Sequence, residues 1–387
     1  MAHVSTVVAA AECTCYERGA VDAAVGEAVA LAGGLGACIR PGNTVLIKPN
    51  LLSPRPPAEA VTTHPLVVAA LVRQCQDAGA ARVWIGDSCA GDHEDDVLWS
   101  ATGMADVAAE TGAELVSFRA VVSQRAAGEG QVPVPGWLAD VDAVVSVPKL
   151  KTHALTGMTC ALKNTYGLVC GNAKSHYHGS HPSPRAMSRF LVDVHRALAP
   201  AFYLVDAVTA MGGEGPANGR PVRVGALVAG TDATAVDTVC ARAFARGGDV
   251  SRHLPMLRAA RAMGVGVGDV NAITVCGDGV ARLNEAGLKP SIGRWLQMIP
   301  EPVFKTATRV LACRPKIDAS RCTGCGVCAR ACSQDAIHRR GEESTSYKID
   351  SAQCIMCMCC AEACPCHAVM VRSPLRVAAA VRDLLRR

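Results

Sequence analysis

One cysteine pattern occurs twice in the last quarter of the chain, as Cys322-Thr-Gly-Cys325-Gly-Val-Cys328-Ala-Arg-Ala-Cys332 and as Cys354-Ile-Met-Cys357-Met-Cys-Cys360-Ala-Glu-Ala-Cys364-Pro365. In each copy three thiols lie on a short loop, and a fourth follows one helical turn later. The flanks repeat as well, because Lys316-Ile-Asp318 precedes the first copy and Lys348-Ile-Asp350 precedes the second, at the same offset of 32 residues. The duplication predicts a folded module with pseudo-twofold symmetry.

This spacing is the one found in bacterial two-cluster ferredoxins, in which the fourth cysteine of each motif binds the cluster of the other motif. We therefore predict two 4Fe-4S clusters that transfer single electrons and are oxygen-sensitive. The first takes Cys322, Cys325, Cys328 and Cys364, and the second takes Cys354, Cys357, Cys360 and Cys332. A zinc ribbon is the alternative, but it uses four thiolates in two pairs and not two groups of four.

The distribution of cysteines divides the chain into domains. Nine of the 20 cysteines are scattered over the first 300 residues, whereas eleven lie between Cys313 and Cys366. We predict an α/β substrate-binding domain over residues 1–295, a linker over 296–312, a ferredoxin-like 4Fe-4S domain over 313–372 and a basic C-terminal helix over 373–387. Cys359 and Cys366 lie beside predicted ligands but off the spacing, and we interpret them as packing residues.

The composition of the 387 residues excludes several classes of protein. Hydrophobic residues make up 50% and charged residues 19%, which argues against a disordered chain or a coiled coil. No stretch approaches the ~18 uncharged apolar residues of a membrane span, and the first residues lack the pattern of a signal peptide. Many thiols without such a signal indicate metal chemistry in a reducing cytoplasm. A net charge of +5 with 4% aromatic residues offers little for nucleic-acid binding.

The first 295 residues alternate short β-branched runs with stretches rich in Ala and Leu. We predict strands over 4–8, 44–49, 82–87, 114–118, 143–147, 202–205, 224–228 and 272–275. We predict helices over 21–32, 65–78, 94–111, 184–198, 233–246 and 252–263. This alternation is typical of a layered α/β domain with a mainly parallel sheet, here followed by a small α+β ferredoxin-like domain. Such sheets bind ligands at the carboxyl ends of their strands.

Charges of opposite sign are segregated along the large domain. Residues 143–192 contain no Asp or Glu, whereas residues 83–118 contain no Lys or Arg. The basic segment begins with Pro148-Lys149-Leu-Lys151-Thr-His153, directly after a predicted strand. A cleft of one sign concentrates ligands of the opposite sign, so we predict that an anion binds here. The alternative is that these lysines are solvated or pair with the acidic segment.

Three further runs are less specific. The run His176-Tyr-His178-Gly-Ser-His181 could bind a metal or supply a general acid, and a flexible polar loop is the simpler interpretation. Glu214 lies in a glycine-rich segment that is either a ligand-binding loop or a plain turn. Residues 264–268 do not fit the Gly-x-Gly-x-x-Gly spacing and no Walker loop is present, so no nicotinamide or flavin motif is evident.

Six short motifs follow one another along the chain: Val45-Leu-Ile-Lys48-Pro49-Asn50, Thr62-Thr63-His64-Pro65, Gly86-Asp87-Ser88, Pro148-Lys149-Leu150-Lys151-Thr152-His153, Ala161-Leu-Lys163-Asn164 and Asp206-Ala207. As a set they resemble the domain of unknown function 362 family, over residues 4–290. The resemblance implies an iron–sulfur protein and a redox enzyme, but no substrate. It also implies these site candidates: Lys48, Asn50, Thr63, His64, Asp87, Lys149, Lys151, His153, Lys163 and Asn164.

The leading hypothesis is an oxidoreductase, a ferredoxin-dependent reductase served by a separate low-potential electron donor such as a ferredoxin. Its clusters would pass electrons to a small anionic metabolite, namely a carboxylate, a thioester or a phosphorylated compound. The residues expected to bind this substrate are Lys48, Asn50, Thr63, Asp87, Lys163, Asn164 and Glu214. The proton donor would be His153, His64 or His178, while Lys149 and Lys151 would stabilise charge that develops on the substrate.

The alternative is a non-catalytic electron-transfer or redox-sensing protein whose large domain docks a partner enzyme, with the charged segments as docking faces. A third possibility is cluster or metal handling for another protein, with spare thiols as transfer ligands. The polar residues at the strand ends discriminate between these hypotheses, because an active site needs them in one concavity and a docking surface does not.

Overall fold

The computed structural model of the chain describes residues 6–119, 122–171, 173–244, 249–291, 314–341 and 344–372, together with residues 297 and 299. The predicted C-terminal helix over 373–387 and Cys313 lie outside these residues, as does the predicted linker over 296–312 apart from residues 297 and 299. Among the described helices, none is long and apolar enough to cross a lipid bilayer.

The large domain combines one central sheet with helices. Its strands are β1 (Thr6–Glu12), β2 (Thr44–Pro49), β3 (Arg82–Ile85), β4 (Glu114–Leu115), β5 (Val122–Ala127), β6 (Gly130–Pro135), β7 (Ala143–Val147), β8 (Lys149–His153), β9 (Gly157–Thr159), β10 (Phe202–Gly212), β11 (Arg220–Gly230) and β12 (Ile273–Cys276). Its helices are α1 (Arg18–Leu31), α2 (Pro65–Asp77), α3 (Asp95–Thr102), α4 (Met104–Thr111), α5 (Ala161–Asn164), α6 (Ala173–Ser180), α7 (Pro184–Leu198), α8 (Ala233–Cys240), α9 (Pro255–Ala262) and α10 (Gly279–Glu285).

The strands of the central sheet run in the order β12-β1-β11-β10-β7-β2-β3-β4. Neighbours from β10 to β4 are parallel, β11 is antiparallel to both of its neighbours, and β1 and β12 are parallel to each other. β8 pairs with the later part of β10, and β9 pairs with β8 in antiparallel fashion. β5 and β6 form a separate hairpin. The mainly parallel sheet predicted from the sequence is confirmed.

Both faces of the sheet are covered, as nearly continuous apolar strands require. Along β10, Tyr203 and Val205 pack into one hydrophobic core, whereas Phe202 and Leu204 pack into the other. All six residues of β2 are buried. Because the faces are occupied in this way, the carboxyl ends of the strands are where a ligand can approach the sheet.

Several predicted elements agree with the structure, among them the strands over 44–49 and 143–147 and the helix over 184–198. This last helix begins at Pro184, and the Ser183 side chain before it accepts a hydrogen bond from a backbone N–H of the first turn.

Two local predictions are wrong. The single helix predicted over 94–111 is broken at Gly103, whose φ of 75° lies outside the helical range and separates α3 from α4. The histidine run predicted as a flexible loop lies largely in α6. That helix has few apolar residues, so its pattern did not distinguish it from a loop.

The cysteine-rich domain consists of two β-ribbons and two short helices. β13 (Arg314–Ile317) pairs with β16 (Val369–Arg372), and β14 (Ile337–Arg339) pairs with β15 (Tyr347–Ile349), both in antiparallel fashion. The helices are α11 (Val327–Arg330) and α12 (Cys359–Ala363), and each begins within one cysteine motif.

The backbone of this domain repeats the duplication of the sequence. Pairs of residues with positive φ angles stand 32 positions apart: Gly324 and Met356, Gly326 and Met358, and Asp335 and His367. Glycine adopts such angles without a steric penalty, whereas the two methionines adopt them only because the surrounding loop imposes its shape. The pseudo-twofold symmetry predicted from the sequence is thus present in the backbone.

The cysteine-rich domain packs against the loop that follows β3. Val327, Ala331 and Ala363 form a small apolar cluster with Ala90. Gly91 lies against this cluster with a φ of 85°, and a Cβ atom there would lie 2.8 Å from both the Ala363 Cβ and the Val327 Cγ1. A residue without a side chain is therefore required for the two domains to approach this closely.

We expect Gly91→Ala to weaken the docking of the cysteine-rich domain, because the added methyl group overlaps atoms of α11 and α12. Hydrogen exchange measured by mass spectrometry should be faster in these two helices than in the unaltered protein. Gly112→Ala is the matched control, because Gly112 has a similar φ of 73° but no atom within 4 Å of its Cβ position. Equal exchange in the two variants would contradict the expectation.

Candidate functional site

Two buried charges meet where β2 and β3 end. The Lys48 Nζ lies 2.8 Å from the Asp87 Oδ1 and donates hydrogen bonds to the Asn164 Oδ1 at 2.8 Å and to the Pro49 carbonyl at 2.9 Å. Burial lowers the pKa of Lys48 to about 8, although Asp87 acts in the opposite direction. Gly167 closes over this ion pair, since a Cβ atom there would lie 2.1 Å from the Asp87 Oδ1.

A second buried lysine, Lys151 on β8, is held by neutral oxygen atoms. Its Nζ donates to the Asn50 Oδ1 at 2.6 Å and to the Val61 carbonyl at 2.7 Å. The Asn50 N–H in turn donates to the Thr63 Oγ1 at 2.8 Å. Burial lowers the pKa of Lys151 well below its usual value, and the neighbouring Lys163 lowers it further. Such a lysine gives up its proton readily and is stabilised by a nearby anion.

Lys149 belongs to a different polar cluster, which is built around Asp206 on β10. The Lys149 Nζ lies 2.8 Å from the Asp206 Oδ2 and donates to the Tyr16 hydroxyl at 2.7 Å. The backbone N–H of His64 donates to the same carboxylate, and the His64 ring stacks on the Tyr16 ring with 3.7 Å between centroids. Burial lowers the pKa of Lys149, and it lowers that of His64 to about 4. We name these four residues the Asp206 cluster.

A cavity lies between the large domain and the cysteine-rich domain. Most of its wall comes from the large domain, and Ala331, Cys359 and Glu362 come from the cysteine-rich domain. The cavity has a volume of about 70 Å³, against roughly 10–15 Å³ for one ordered water counted in the same way. It therefore has room for several waters or for one end of a small molecule.

A wider cavity of about 290 Å³ adjoins the first one and shares Asp87, Ser88, Cys89, Gly91 and Gly171 with its wall. Its other lining residues include Asp92, His93, Asp95 and Arg119. We call the first cavity, with Lys163 and Glu362 in its wall, the inner cavity, and the wider one, with His93 and Arg119, the outer cavity. A ligand too large for the inner cavity can extend into the outer one.

Some polar groups in the wall of the inner cavity lack protein partners. Over the part of the chain that the structure describes, the Lys163 ammonium has no hydrogen-bond or ion-pair partner. The buried Thr159 Oγ1 and His178 Nδ1 have no hydrogen-bond partner there either. Buried polar atoms are normally satisfied, so unpaired groups around one cavity indicate water or a ligand between them. Burial lowers the pKa of His178 to about 4, so the ring is neutral near pH 7.

Glu362, which sequence reasoning missed, reaches the cavity from α12, between Cys360 and Cys364. Its Oε1 lies 3.6 Å from the His153 Nε2. Burial alone would raise the pKa of this carboxyl, but His153 and Lys163 bring it down to about 2. Burial also lowers the pKa of His153 to about 4. A carboxylate of the second cysteine motif thus lies near the lysines of the large domain.

A sequence signal for Glu362 does exist. The equivalent position of the first cysteine motif is Arg330, so the two halves of the duplication carry opposite charges there. The same comparison does not reveal Tyr16 or Asp206, whose importance depends on contacts between distant segments.

The two cysteine motifs are interleaved through their last members. Burial raises the pKa of Cys328 to about 12, and the next largest effect comes from Cys364, ahead of Cys325 and Cys322. Such electrostatic effects require proximity. The last cysteine of the second motif therefore lies beside the first motif.

The first motif likewise lies near the second. Burial raises the pKa of Cys360, and the charged neighbours that raise it further are Cys357, Cys354, Cys328 and Cys332, so two cysteines of the first motif lie close to it. No group of three or more His, Cys, Asp or Glu side chains in the described residues converges on one point, as a single metal ion would require. The case for cluster ligands therefore depends on the spacing and on this interleaving.

The structure brings seven predicted site residues together around the inner cavity: Lys48, Asn50, Asp87, Lys151, Lys163, Asn164 and His178. Thr63 supports this wall through Asn50, and His153 contacts it through Glu362. Lys149 and His64 belong to the Asp206 cluster. Glu214 lies 3.4 Å from the Ser291 Oγ, in the segment after β10.

We expect Lys149→Met to destabilise the fold by about 3–5 kcal/mol, because the Asp206 carboxylate stays buried without its ammonium partner. Thermal unfolding followed by circular dichroism measures the change. Adding Asp206→Asn to the variant should restore part of the loss, since the uncompensated charge is then gone. Arg282→Met is the control, because it removes an exposed pair with Glu12 and should cost less than about 1 kcal/mol. Equal stability of Lys149→Met and Arg282→Met would contradict this account.

Comparison with known proteins gives two family matches and one curated relative. A family model described as "Domain of unknown function (DUF362)" matches residues 45–242, and one described as "4Fe-4S dicluster domain" matches residues 321–368. A thylakoid-associated protein of Synechocystis sp. is 32% identical over 232 residues, which cover 58% of this chain and 70% of that protein. The cysteine-rich domain is thus an iron–sulfur electron-transfer domain.

Two solved structures overlap with part of the chain at 12% identity. The lactate racemase apoprotein of Thermoanaerobacterium thermosaccharolyticum has a TM-score of 0.39, and a protein of Thermotoga maritima has a TM-score of 0.34. The overlaps cover 58% and 54% of this chain, and the chain spans about half, 54%, of each of those structures. The α/β assignment rests on the strands and helices described above.

Proposed function

The chain belongs to the DUF362 family and carries a 4Fe-4S dicluster domain, and from this premise we propose that it is an oxidoreductase that reduces a small anionic metabolite in the inner cavity. The observation that carries the proposal is the mixed origin of the cavity wall. Lysines of the large domain face Cys359 and Glu362, which lie within the second cysteine motif. A ligand there would lie against the residue next to Cys360, a proposed cluster ligand.

We assign two 4Fe-4S clusters to the cysteine-rich domain, with crossed ligands. One set is Cys322, Cys325, Cys328 and Cys364, and the other is Cys354, Cys357, Cys360 and Cys332. When bound, the clusters supply electrons one at a time. The interleaving of the two motifs supports this assignment, and so do the backbone N–H groups of Ala336 and Ala368, which donate to the Sγ atoms of Cys332 and Cys364 at 3.3 Å.

The cavity wall favours an anionic substrate. Four lysines line it, against two carboxylates: Lys48, Lys151, Lys163 and Lys174, with Asp87 and Glu362. Lys163 acts on Glu362 electrostatically but makes no hydrogen bond or close ion pair among the described residues, so its ammonium would pair directly with a carboxylate or phosphate. Asn164, whose Nδ2 donates to the Lys48 carbonyl and to the Ser146 Oγ, would hold Lys48 in place, and Asn50 would hold Lys151 through its Oδ1.

Reduction consumes protons as well as electrons, and two groups at the cavity would hold them. Of the three histidines proposed as donors, His178 is the one that lines the inner cavity. The neutral ring carries one N–H, which would donate a hydrogen bond to charge that accumulates on the substrate, and the ring would transfer a proton only after taking one up on its other nitrogen. Lys151 would add electrostatic stabilisation, because an anion beside it favours its protonated form.

The proposal includes a separate low-potential electron donor, such as a ferredoxin. Cys325 is exposed, whereas Cys328, Cys360 and Cys364 are buried. Electrons would therefore enter beside Cys325, away from the cavity. Association with thylakoids is stated for the relative of Synechocystis sp., and for this chain a cytoplasmic location stays a prediction.

A docking protein without catalysis is the second hypothesis. Docking faces carry exposed charges at their rims, whereas Lys48, Lys151 and Asn164 are buried around a cavity. Unpaired polar atoms in that cavity favour a bound small molecule over a protein surface.

We expect the crossed ligands to be visible in double variants. Adding Cys364→Ser to Cys322→Ser should leave the iron content unchanged, because both substitutions affect the same cluster. Adding Cys332→Ser to Cys322→Ser should lower it further, because both clusters are then affected. Iron and sulfide analysis of anaerobically purified protein measures this, with Cys366→Ser as the control. The reverse pattern would show that each motif holds its own cluster.

We expect Lys163→Ala to weaken substrate binding about tenfold or more, the loss typical of one hydrogen bond to a charged group. Chemically reduced protein is mixed anaerobically with a panel of small carboxylates, thioesters and phosphorylated compounds, and reoxidation is followed by absorbance and EPR. Saturable reoxidation by one compound identifies the substrate class. Lys289→Ala, an exposed lysine of the large domain, is the control. No response to any compound, with rapid electron exchange with an added ferredoxin, would favour the second hypothesis.

A further inference from the structure

Arg55 is a buried cation where the two domains meet, outside the wall of the inner cavity. Its side chain has no exposed surface, at 0%. The Nη2 donates to the Cys364 carbonyl at 2.6 Å, and the Nη1 donates to the Ala217 carbonyl at 3.0 Å. One guanidinium group of the large domain is thus bonded to the backbone of a proposed cluster ligand.

The negative charge beside Arg55 is only partly shielded from water and so only partly neutralises the guanidinium group. The Glu59 Oε2 lies 3.3 Å from the Nη1, but the Glu59 side chain is 35% exposed, so water screens it. Glu59 also contacts the His367 Nε2 at 2.9 Å, and the His367 ring contacts the Nη1 of Arg55. The positive charge is therefore the more deeply buried member of the pair.

A buried positive charge of this kind would raise the electron affinity of an iron–sulfur cluster beside it. Charges interact more strongly at low dielectric, and reduction adds one negative charge to an iron–sulfur cluster. The reduction potential of such a cluster depends on net charge, on hydrogen bonds and on exposure to solvent. A cation fixed beside Cys364 favours the reduced form. By contrast, the buried carboxylate on α12, Glu362, belongs to the wall beside Cys360.

We propose that Arg55 is a positioning residue that raises the reduction potential of the cluster completed by Cys364, and that reduction of this cluster in turn strengthens docking of the two domains. The proposal rests on the proposed function, because it uses the crossed ligands assigned there. The second part follows from linkage: a contact that favours reduction in the docked state must itself be strengthened by reduction. The cluster completed by Cys364 is then the one that holds the electron when the protein is partly reduced.

The test is a redox titration of the full chain followed by EPR, without any substrate. Arg55→Met should lower the potential of one cluster by at least a tenfold change in its reduction equilibrium, which is 59 mV for one electron. Glu59→Gln should raise the same potential, because it removes the countercharge and leaves the guanidinium in place. Arg282→Met, an exposed arginine, should leave both potentials unchanged. Opposite shifts for Arg55 and Glu59 distinguish electrostatic tuning from simple loss of structure.

Two further measurements decide the assignment. In a Cys332→Ser background, the cluster completed by Cys364 is the one retained, and its potential should still respond to Arg55→Met. Hydrogen exchange in α12 should be slower in the reduced than in the oxidised protein, and Arg55→Met should abolish the difference. Shifts of the same sign for Arg55→Met and Glu59→Gln, or an unchanged potential in both, would overturn the proposal. If Arg55→Met fails to load iron, Glu59→Gln alone decides the sign.

None of these readouts requires substrate turnover. A protein that reduces no anion but shows the opposite potential shifts would refute the reductase and retain the role of Arg55. A protein that reduces an anion, but whose cluster potentials are unchanged by both substitutions, would retain the reductase and refute the role of Arg55.

Discussion

The free energy of removing lysine ammonium groups from water determines which polar groups must surround them in the large domain. A buried ammonium group is unfavourable by several kcal/mol unless carboxylates or carbonyl oxygens replace its hydration. Lys48 and Lys149 obtain this from Asp87 and Asp206, and Lys151 obtains it from neutral oxygens. The sheet makes these arrangements possible, because β2 and β3 end side by side and Asp206 lies opposite Lys149 where β10 pairs with β8. The polar centre of the protein is therefore a consequence of its sheet.

The lysines of this region differ in the role that their contacts indicate, since one stabilises the fold and another would bind the proposed ligand. The Lys149 ammonium forms a buried ion pair with Asp206, and this pair stabilises the fold. Lys163, on α5, forms no such pair among the described residues and faces the inner cavity. The second domain completes the cavity by contributing Cys359 and Glu362. Neither domain alone would enclose the space, so under the proposed function electron supply and ligand binding would meet in one wall.

Features with a local signature could be predicted from the sequence. The cysteine spacing, the duplication and the regular strand–helix alternation report on nearest neighbours along the chain, and these predictions agree with the structure. Lys149 and Lys151 show the limit of such predictions, because they lie two residues apart on the same strand and yet belong to different polar clusters. The partners that distinguish them, Asp206 and Asn50, are distant in sequence. The duplication marks Glu362 as the counterpart of Arg330, but its contribution to the cavity depends on how two domains dock, and the local sequence does not show this.

The methionines at 356 and 358 hold backbone angles that glycine occupies in the first cysteine loop. Such angles in a residue with a side chain cost on the order of 1–3 kcal/mol each and persist only where the surroundings enforce them. Their loop leads directly into Cys359, part of the wall of the inner cavity. If the cluster proposed for this loop were lost, the loop would relax and the wall would move with it. Under the proposed function, exposure to air would then abolish ligand affinity together with redox activity, and reconstitution with iron and sulfide would restore both in a single step.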